Sequence, residues 1–154
     1  MTTLLAPLSR TAADLYATNV VREMNLGRCQ LTGATASGEY GGGNWCHRVA
    51  EGRGGPKTPA NGLWLRAEVH SATHSAAALS HSAGWMVDTG TDPRTVPVLC
   101  LCQGIPAWWT LDASGDGMAR LATAAEVAAA GLDPELTLPA ALAELERVTG
   151  WRAA

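Results

Sequence analysis

Apolar residues recur at helical spacing near the start of the chain, over residues 9 to 25. Residues three and four positions apart share one face of a helix, so the pattern predicts an amphipathic helix. Ser9 is placed to cap its N-terminus, and Gly27 is placed to end it in a left-handed conformation. The apolar positions are Ala12, Leu15, Tyr16, Val20 and Met24.

A first strand and a long loop are predicted further along the chain. The short stretch NWCHRVA, at residues 44 to 50, is bounded by apolar residues and is typical of a strand. The eleven residues EGRGGPKTPAN, at 51 to 61, include three Gly and two Pro. That composition favours turns over any regular element, so these residues are predicted to form a loop.

A second strand and a helix follow directly. In GLWLRAEV, at residues 62 to 69, Leu63 and Leu65 alternate with bulky or polar neighbours, which predicts a strand with one buried face. The Ala-rich run that begins at His70 predicts a helix, and Gly84 ends it.

The C-terminal half predicts a small β part and a helical tail. Two short strands are expected around Gln103–Gly104, with a turn at the sequence DASGDG, residues 112 to 117. Thr123 and Glu126 have the spacing of a capping box and predict the start of a helix. The segment LPAALAELERVTG predicts another helix near the end of the chain.

These elements predict an α+β fold in three segments. Residues 1–28 form an N-terminal helical segment, residues 29–118 form the main domain, and residues 119–154 form a helical tail. At 154 residues and 47% hydrophobic composition, the chain is long and apolar enough for one buried core.

Charge is distributed unevenly along the chain. The net charge of −3 argues mildly against nucleic-acid binding, which usually needs a basic surface. Residues 20 to 75, however, hold six basic and four acidic side chains, whereas residues 76 to 154 hold four basic and nine acidic ones. The acidity therefore belongs to the C-terminal part, and the strand–loop–strand–helix segment is mildly basic.

The sequence predicts a soluble protein of the cytoplasm. The first ten residues lack the basic region of a secretory signal, and no stretch approaches the roughly 18 apolar residues of a membrane span. Cysteines in such a compartment are reduced thiols or metal ligands rather than disulfides. Cys100 and Cys102 are expected to pack in the core, with their side chains on opposite faces of a strand.

One group of polar residues has the spacing of a metal site. His70 and His74 are four residues apart, so on a helix both imidazoles project from one face and can hold a single ion. Cys46 is a possible third ligand, which leaves coordination positions for water and substrate. His47 is then free to act as a general base, and Asn61 can orient its imidazole by a hydrogen bond. The alternative is that these are ordinary polar residues of a small globular domain.

The ordered motifs of this region resemble those of the HNH endonuclease family. They are CQLTG, HRVAEGRGG, PANGLWL, VHSATH, GWMV, VPVL and WWTLDASG, between residues 29 and 115. Their order is most similar to that in HNH proteins encoded by phages of actinobacteria. The resemblance implies a ββα-metal core, an N-terminal helix, a small extra β-hairpin and a C-terminal helical tail.

The resemblance also implies a role for each site residue. His47 would be the base that activates water against a phosphodiester, and Asn61 would position His47 and its loop. His70 and His74 would hold one divalent ion, which the family uses to neutralise charge on the phosphate. The residues expected to contact double-stranded DNA are Arg48, Arg53, Lys57 and Arg66.

Two features distinguish this chain from the family pattern. Cys46 stands where the family more often has His or Asp, and a thiolate favours Zn²⁺ over harder ions such as Mg²⁺. Zn²⁺, Mg²⁺, Mn²⁺ and Ni²⁺ all remain candidates from the sequence. In addition, adjacent strand residues point to opposite faces, so Cys46 and His47 can share a site only if the strand ends or bulges there.

Two functions are therefore open from the sequence. The first is a metal-dependent DNA endonuclease in the cytoplasm of a bacterial host. The second is an HNH-derived protein with weak or lost catalysis that binds DNA or protein in phage packaging, regulation or counter-defence. In that second case the acidic C-terminal part is the expected surface for a protein partner.

Overall fold

The computed structural model describes residues 10–36 and 43–153, and it confirms a mixed α+β architecture. None of the helices in these two ranges is long and apolar enough to cross a membrane. The helices are α1 (Arg10–Met24), α2 (Ala67–Ser75), α3 (Ala77–Ser82), α4 (Ala124–Ala129) and α5 (Leu138–Thr149). The strands are β1 (Gly43–His47), β2 (Gly62–Arg66), β3 (Val98–Cys102), β4 (Ile105–Leu111) and β5 (Ala119–Leu121).

The predicted first helix is α1. It ends at Met24, and Gly27 has a φ of 75° and donates its N–H to the carbonyl of Arg22, as expected for a left-handed end. The predicted cap, Ser9, lies outside the described residues. Leu15 and Tyr16 were expected on the apolar face but are exposed, whereas Ala17 and Val21 are buried. The buried stripe therefore lies one residue further along than the sequence pattern suggested.

Strands β1 and β2 form a two-stranded antiparallel sheet, in which Cys46 is paired with Leu63 and His47 with Gly62. The strand predicted from the alternating pattern stops at Arg66, and α2 begins at the next residue. Ala67 and Glu68 favour this early start, because Ala is the best helix former and a carboxylate in the first turn suits the helix dipole. Helix α2 packs against both strands.

The single helix predicted from His70 to Gly84 is two helices, α2 and α3, with a break at Ala76. The buried hydroxyl of Ser80 donates a 2.6 Å hydrogen bond to the carbonyl of Thr73, which also accepts the N–H of Ala76 at 3.3 Å. Ala76 itself is buried in the core. Gly84 has a φ of 73° and follows the end of α3, as predicted.

The second sheet has the strand order β3-β4-β5. The β3–β4 turn is at Gln103 and Gly104, both with positive φ, as the sequence predicted. The expectation that Cys100 and Cys102 point to opposite faces is wrong, because residues two apart in a strand share a face. Their sulfur atoms lie 4.0 Å apart in the core. Strand β5 was not predicted, and it pairs antiparallel with β4.

One hydrophobic core joins the two sheets and the helical tail. Buried residues of the tail, among them Val127, Leu138 and Leu145, belong to the same cluster as Leu63 of β2 and Leu99 of β3. Helix α5 packs against α2 and α3, and its N-terminal cap is the side chain of Thr137. The capping box predicted for α4 is present, with reciprocal hydrogen bonds between Thr123 and Glu126. The tail therefore covers a side of α2 and α3 that would otherwise be exposed.

Arg48 lies in this interior and is only 2% exposed. Its guanidinium donates five hydrogen bonds to backbone carbonyls, which uses every N–H that the group has. The acceptors are Gly84 at 2.8 Å, Ala60 at 2.9 Å, Pro93 at 3.0 Å, Val96 at 2.6 Å and Pro97 at 3.5 Å. Burial lowers the pKa of the group to about 10, so it is still charged at neutral pH. Arg48 was predicted to contact DNA, but its guanidinium is buried and all its N–H groups are used on backbone carbonyls.

We expect Arg48→Met to lower the free energy of unfolding by at least about 3 kcal/mol, because five carbonyls would lose a charged donor at once. Urea denaturation followed by circular dichroism measures the change. Arg53→Met is the matched control, since Arg53 is exposed and its loss should cost less than about 0.5 kcal/mol. Equal stability of the two variants would show that the buried guanidinium contributes little.

Candidate metal centre

The end of strand β1 brings Cys46 and His47 to the same region of the molecule. Side chains alternate along β1, so Cys46 points to the core with its partner Leu63, and His47 starts on the opposite face. The strand stops at His47, as the sequence required for a shared site. The imidazole of His47 is half-buried and lines a cleft that His74 of α2 also lines.

Cys46, His70 and His74 form a group that could hold one metal ion, because their donor atoms lie within 4.8 Å of one another. The Nε2 atoms of His70 and His74 are 3.0 Å apart, which is the helical pairing that the sequence predicted. Tetrahedral Zn²⁺ places two nitrogen ligands roughly 3.4 Å apart, from Zn–N bonds of about 2.0 to 2.1 Å. The two imidazoles therefore fit one ion with little movement, and a fourth position remains for water.

The thiol of Cys46 is protonated without a metal ion. Burial raises its pKa to about 12, although a hydrogen bond with Thr73 acts in the opposite direction. A bound cation would reverse this preference, because a coordinated thiol is deprotonated. The pKa of His70 is lowered by burial and by the proximity of His74 and His47, which favours the neutral imidazole that a metal needs.

His47 does not belong to the ligand group but lies beside it. It lines a cleft of about 320 Å³ together with His74, Arg53, His81 and Asp88. Burial lowers the pKa of His47 below its ordinary value, and the carboxylate of Glu51 partly opposes this effect. A neutral imidazole at the edge of an open cleft is able to accept a proton from water at neutral pH.

Asn61 positions the loop and not the imidazole. Its Oδ1 accepts a hydrogen bond of 2.7 Å from the N–H of Val49, and its Nδ2 donates to the carbonyls of Val49 and Pro56 at 3.1 and 2.8 Å. Both N–H groups of the amide are thus used on backbone atoms. The side chain is fully buried, so it closes the loop between β1 and β2 at its two ends. Asn61 therefore does not make the expected hydrogen bond to His47; it holds the loop that follows His47 instead.

The other three basic residues predicted to contact DNA differ in how exposed and how engaged their charged groups are. Arg53 is exposed and lines the cleft. The ammonium of Lys57 lies 5.4 Å from the centre of the Trp45 ring. Arg66 is engaged by the carboxylate of Glu68 and by the carbonyl of Thr35.

Three residues near the site were not predicted from the sequence as part of it. His81 and Asp88 line the cleft, and their side chains form an ion pair of 3.5 Å when His81 is protonated. Trp45 packs its ring against the imidazole of His47. Two of the three had a signal in the sequence: Trp45 is two residues from His47 in a strand and shares its face, and His81 is seven residues beyond His74 at helical spacing.

Comparison of the chain with protein-family models, curated proteins and solved structures gives no match. The geometry of the centre and the motifs of the sequence are therefore the grounds on which a function can be proposed.

We expect Asn61→Ala to lower the free energy of unfolding by about 2 to 4 kcal/mol, because three hydrogen bonds to backbone groups are lost, two of them buried. Thermal and urea unfolding measure the change. Hydrogen exchange of the Val49 amide should become faster at the same time. A stable variant with unchanged exchange at Val49 would contradict the proposed closure of the loop.

We expect the protein to bind one Co²⁺ or Zn²⁺ ion per chain, with a sulfur-to-cobalt absorption band in the near ultraviolet. Cys46→Ser should abolish that band, and His74→Ala should weaken binding by at least about 100-fold, since each ligand supplies a share of the roughly 10 to 16 kcal/mol of a structural zinc site. His81→Ala is the matched control, because His81 is outside the ligand group. Binding that survives loss of both Cys46 and His74 would place the ion elsewhere.

Proposed function

We propose that the protein is a metal-dependent endonuclease of the HNH type, which hydrolyses phosphodiester bonds in double-stranded DNA. The observation that supports this most is the convergence of Cys46, His70 and His74 beside His47 and an open cleft. A purely structural metal site is closed by four protein ligands, whereas this group offers three. The order of two antiparallel strands followed by a helix, with ligands from the first strand and the helix, also supports a ββα-metal core.

In this proposal His47 is the general base. A water molecule in the cleft attacks the phosphorus atom, and its proton passes to the imidazole nitrogen of His47 as the new P–O bond forms. The opposite P–O bond breaks, and the departing oxygen takes a proton from solvent. A divalent ion at the centre would supply positive charge to the phosphate and to the departing oxygen. Asn61 contributes indirectly, since it fixes the loop that follows His47.

Zn²⁺ is the ion we propose for this centre. A thiolate is a soft ligand that Zn²⁺ prefers and that Mg²⁺ does not, and two imidazoles complete a set common in zinc sites. Mn²⁺ and Ni²⁺ are the next candidates, because imidazole binds both.

Arg53 and Lys57 are the residues we propose for contact with DNA phosphates. Arg53 is exposed at the edge of the cleft, and Lys57 is half-buried beside Trp45. Both belong to the loop between β1 and β2, so a phosphate held there would lie close to His47. Arg66 is a weaker candidate, because its guanidinium is already paired with Glu68.

A second candidate function is a binding protein with weak or lost catalysis. The specific observation in its favour is the loss of basic surface: Arg48 is buried, and Arg66 is paired with a carboxylate. Exposed acidic residues such as Asp133 and Glu135 belong to the tail, where they could meet a basic protein partner. In this case the fold would bind DNA or protein in phage packaging, regulation or counter-defence.

The endonuclease proposal predicts nicking of supercoiled plasmid in the presence of Zn²⁺, Mn²⁺ or Ni²⁺ and none in EDTA. His47→Ala should lower the rate by about 10² to 10⁴, the usual contribution of a general base. The control is the metal affinity of the same variant, which should be unchanged because His47 is not a ligand.

Wild-type protein that binds the ion but nicks no plasmid would contradict the endonuclease and favour the binding protein. Electrophoretic mobility shift with plasmid fragments then tests that alternative directly. A nicking rate that His47→Ala leaves unchanged would mean that the activity belongs to another group or to a contaminant.

A further inference from the structure

The side chain of Trp45 lies against the imidazole of His47 on one face of the β1–β2 sheet. The two residues are two positions apart in β1, so they share this face. Their rings meet edge to face, with centroids 5.8 Å apart and an angle of 74° between the planes. This is a favoured geometry for neighbouring aromatic rings.

Gly62 creates the space that the indole occupies. It is paired with His47 across the sheet, so its missing side chain would have stood directly beside the imidazole. The ring of Trp45 lies over this position instead. A Cβ atom at residue 62 would fall well inside van der Waals contact of three indole atoms, the farthest being Cζ3 at 2.6 Å. Only glycine at this position leaves room for the indole next to His47.

The indole contributes at this position by filling space and not by hydrogen bonding. Its N–H is buried and has no hydrogen-bond partner among the described residues. The ammonium of Lys57 lies over the ring, 5.4 Å from its centroid. A cation held near a ring face is attracted by its quadrupole, so Lys57 helps to hold the indole in place.

The imidazole of His47 needs such a support, because Asn61 does not provide one. Both N–H groups of the Asn61 amide bind backbone carbonyls of the loop. His47 is also the last residue of β1, so its side chain lies at the margin of the sheet and is half-buried. A base at such a margin loses efficiency when its ring samples several rotamers, since proton transfer requires one orientation.

We propose that Trp45 is the positioning residue for His47, and that Gly62 and Lys57 hold Trp45 in the required place. This inference rests on the proposed function, in which His47 is the general base. To that function it adds the groups that determine the orientation of the imidazole.

The test combines kinetics of plasmid nicking with nuclear magnetic resonance of the Zn²⁺-loaded protein. Trp45→Leu should lower kcat by about 10 to 100-fold, the usual effect of a small displacement of a catalytic group, with KM unchanged. Trp45→Phe should recover most of the rate, because it keeps an aromatic edge and the indole N–H makes no hydrogen bond to lose. Gly62→Ala should resemble Trp45→Leu, since the added methyl displaces the indole.

Trp64→Leu is the matched control. It removes an indole from the directly paired position of the same sheet, and this indole donates its N–H to Ala36. Zn²⁺ affinity should be unchanged in all four variants, which separates positioning of the base from damage to the ligands. A Trp64→Leu variant that loses kcat as strongly as Trp45→Leu would overturn the inference, because general weakening of the sheet would then explain both.

The resonance measurement does not depend on catalysis. Nuclear Overhauser effects between the ring protons of Trp45 and His47 should be present in the wild type, and the χ1 couplings of His47 should become averaged in Trp45→Leu. Absence of the contacts, or unaltered couplings in that variant, would overturn the inference even in an active enzyme. If the wild type fails to nick but shows the ring contacts, and Trp45→Leu shows averaged couplings, the endonuclease is contradicted and the positioning of His47 remains supported.

Discussion

The buried guanidinium of Arg48 is the interaction on which the arrangement of this protein depends. Arg48 comes directly after Cys46 and His47 of β1. Its guanidinium donates to the carbonyls of Ala60 in the loop before β2, of Gly84 after α3, and of Pro93 in the segment before β3. A charge in the interior is unfavourable unless every N–H has a partner, and here five carbonyls provide them. One side chain thereby ties both sheets to the end of the strand that holds Cys46 and His47.

The candidate metal centre follows from that arrangement. Strand β1 contributes a core-facing thiol, and α2 begins directly after β2 and packs against both strands of the sheet. Two imidazoles one helical turn apart then meet the thiol at the margin of the core. Burial keeps the thiol of Cys46 neutral and lowers the pKa of His70, and a bound divalent cation would favour the thiolate and the neutral imidazole that coordinate it.

The cleft next to this centre is built from more distant parts of the chain. His47 and Arg53 come from the end of β1 and its loop, whereas His81 and Asp88 come from α3 and the segment that follows it. The break between α2 and α3 matters here, because a continuous helix would carry His81 in another direction. Ser80 stabilises this break through the carbonyl of Thr73, and the helical tail packs on the outer side of the two helices.

The sequence by itself determined the features that depend on neighbours in the chain. The approximate positions of β1 and β2, the pairing of His70 with His74, the turn at Gln103–Gly104 and the capping box at Thr123 all follow from local spacing and backbone preference. Tertiary structure decided the rest. Whether Arg48 meets water or carbonyls depends on segments up to 49 residues away, and local patterns hold no information on such distances. The same holds for β5, which is too short to be stable without β4 beside it. Alternation along β1 places Trp45 on the same face as His47, but the room for its indole exists because Gly62 lies on the opposite strand. Periodicity reports which face of an element is buried, but only the packing of all elements determines which side chains meet there.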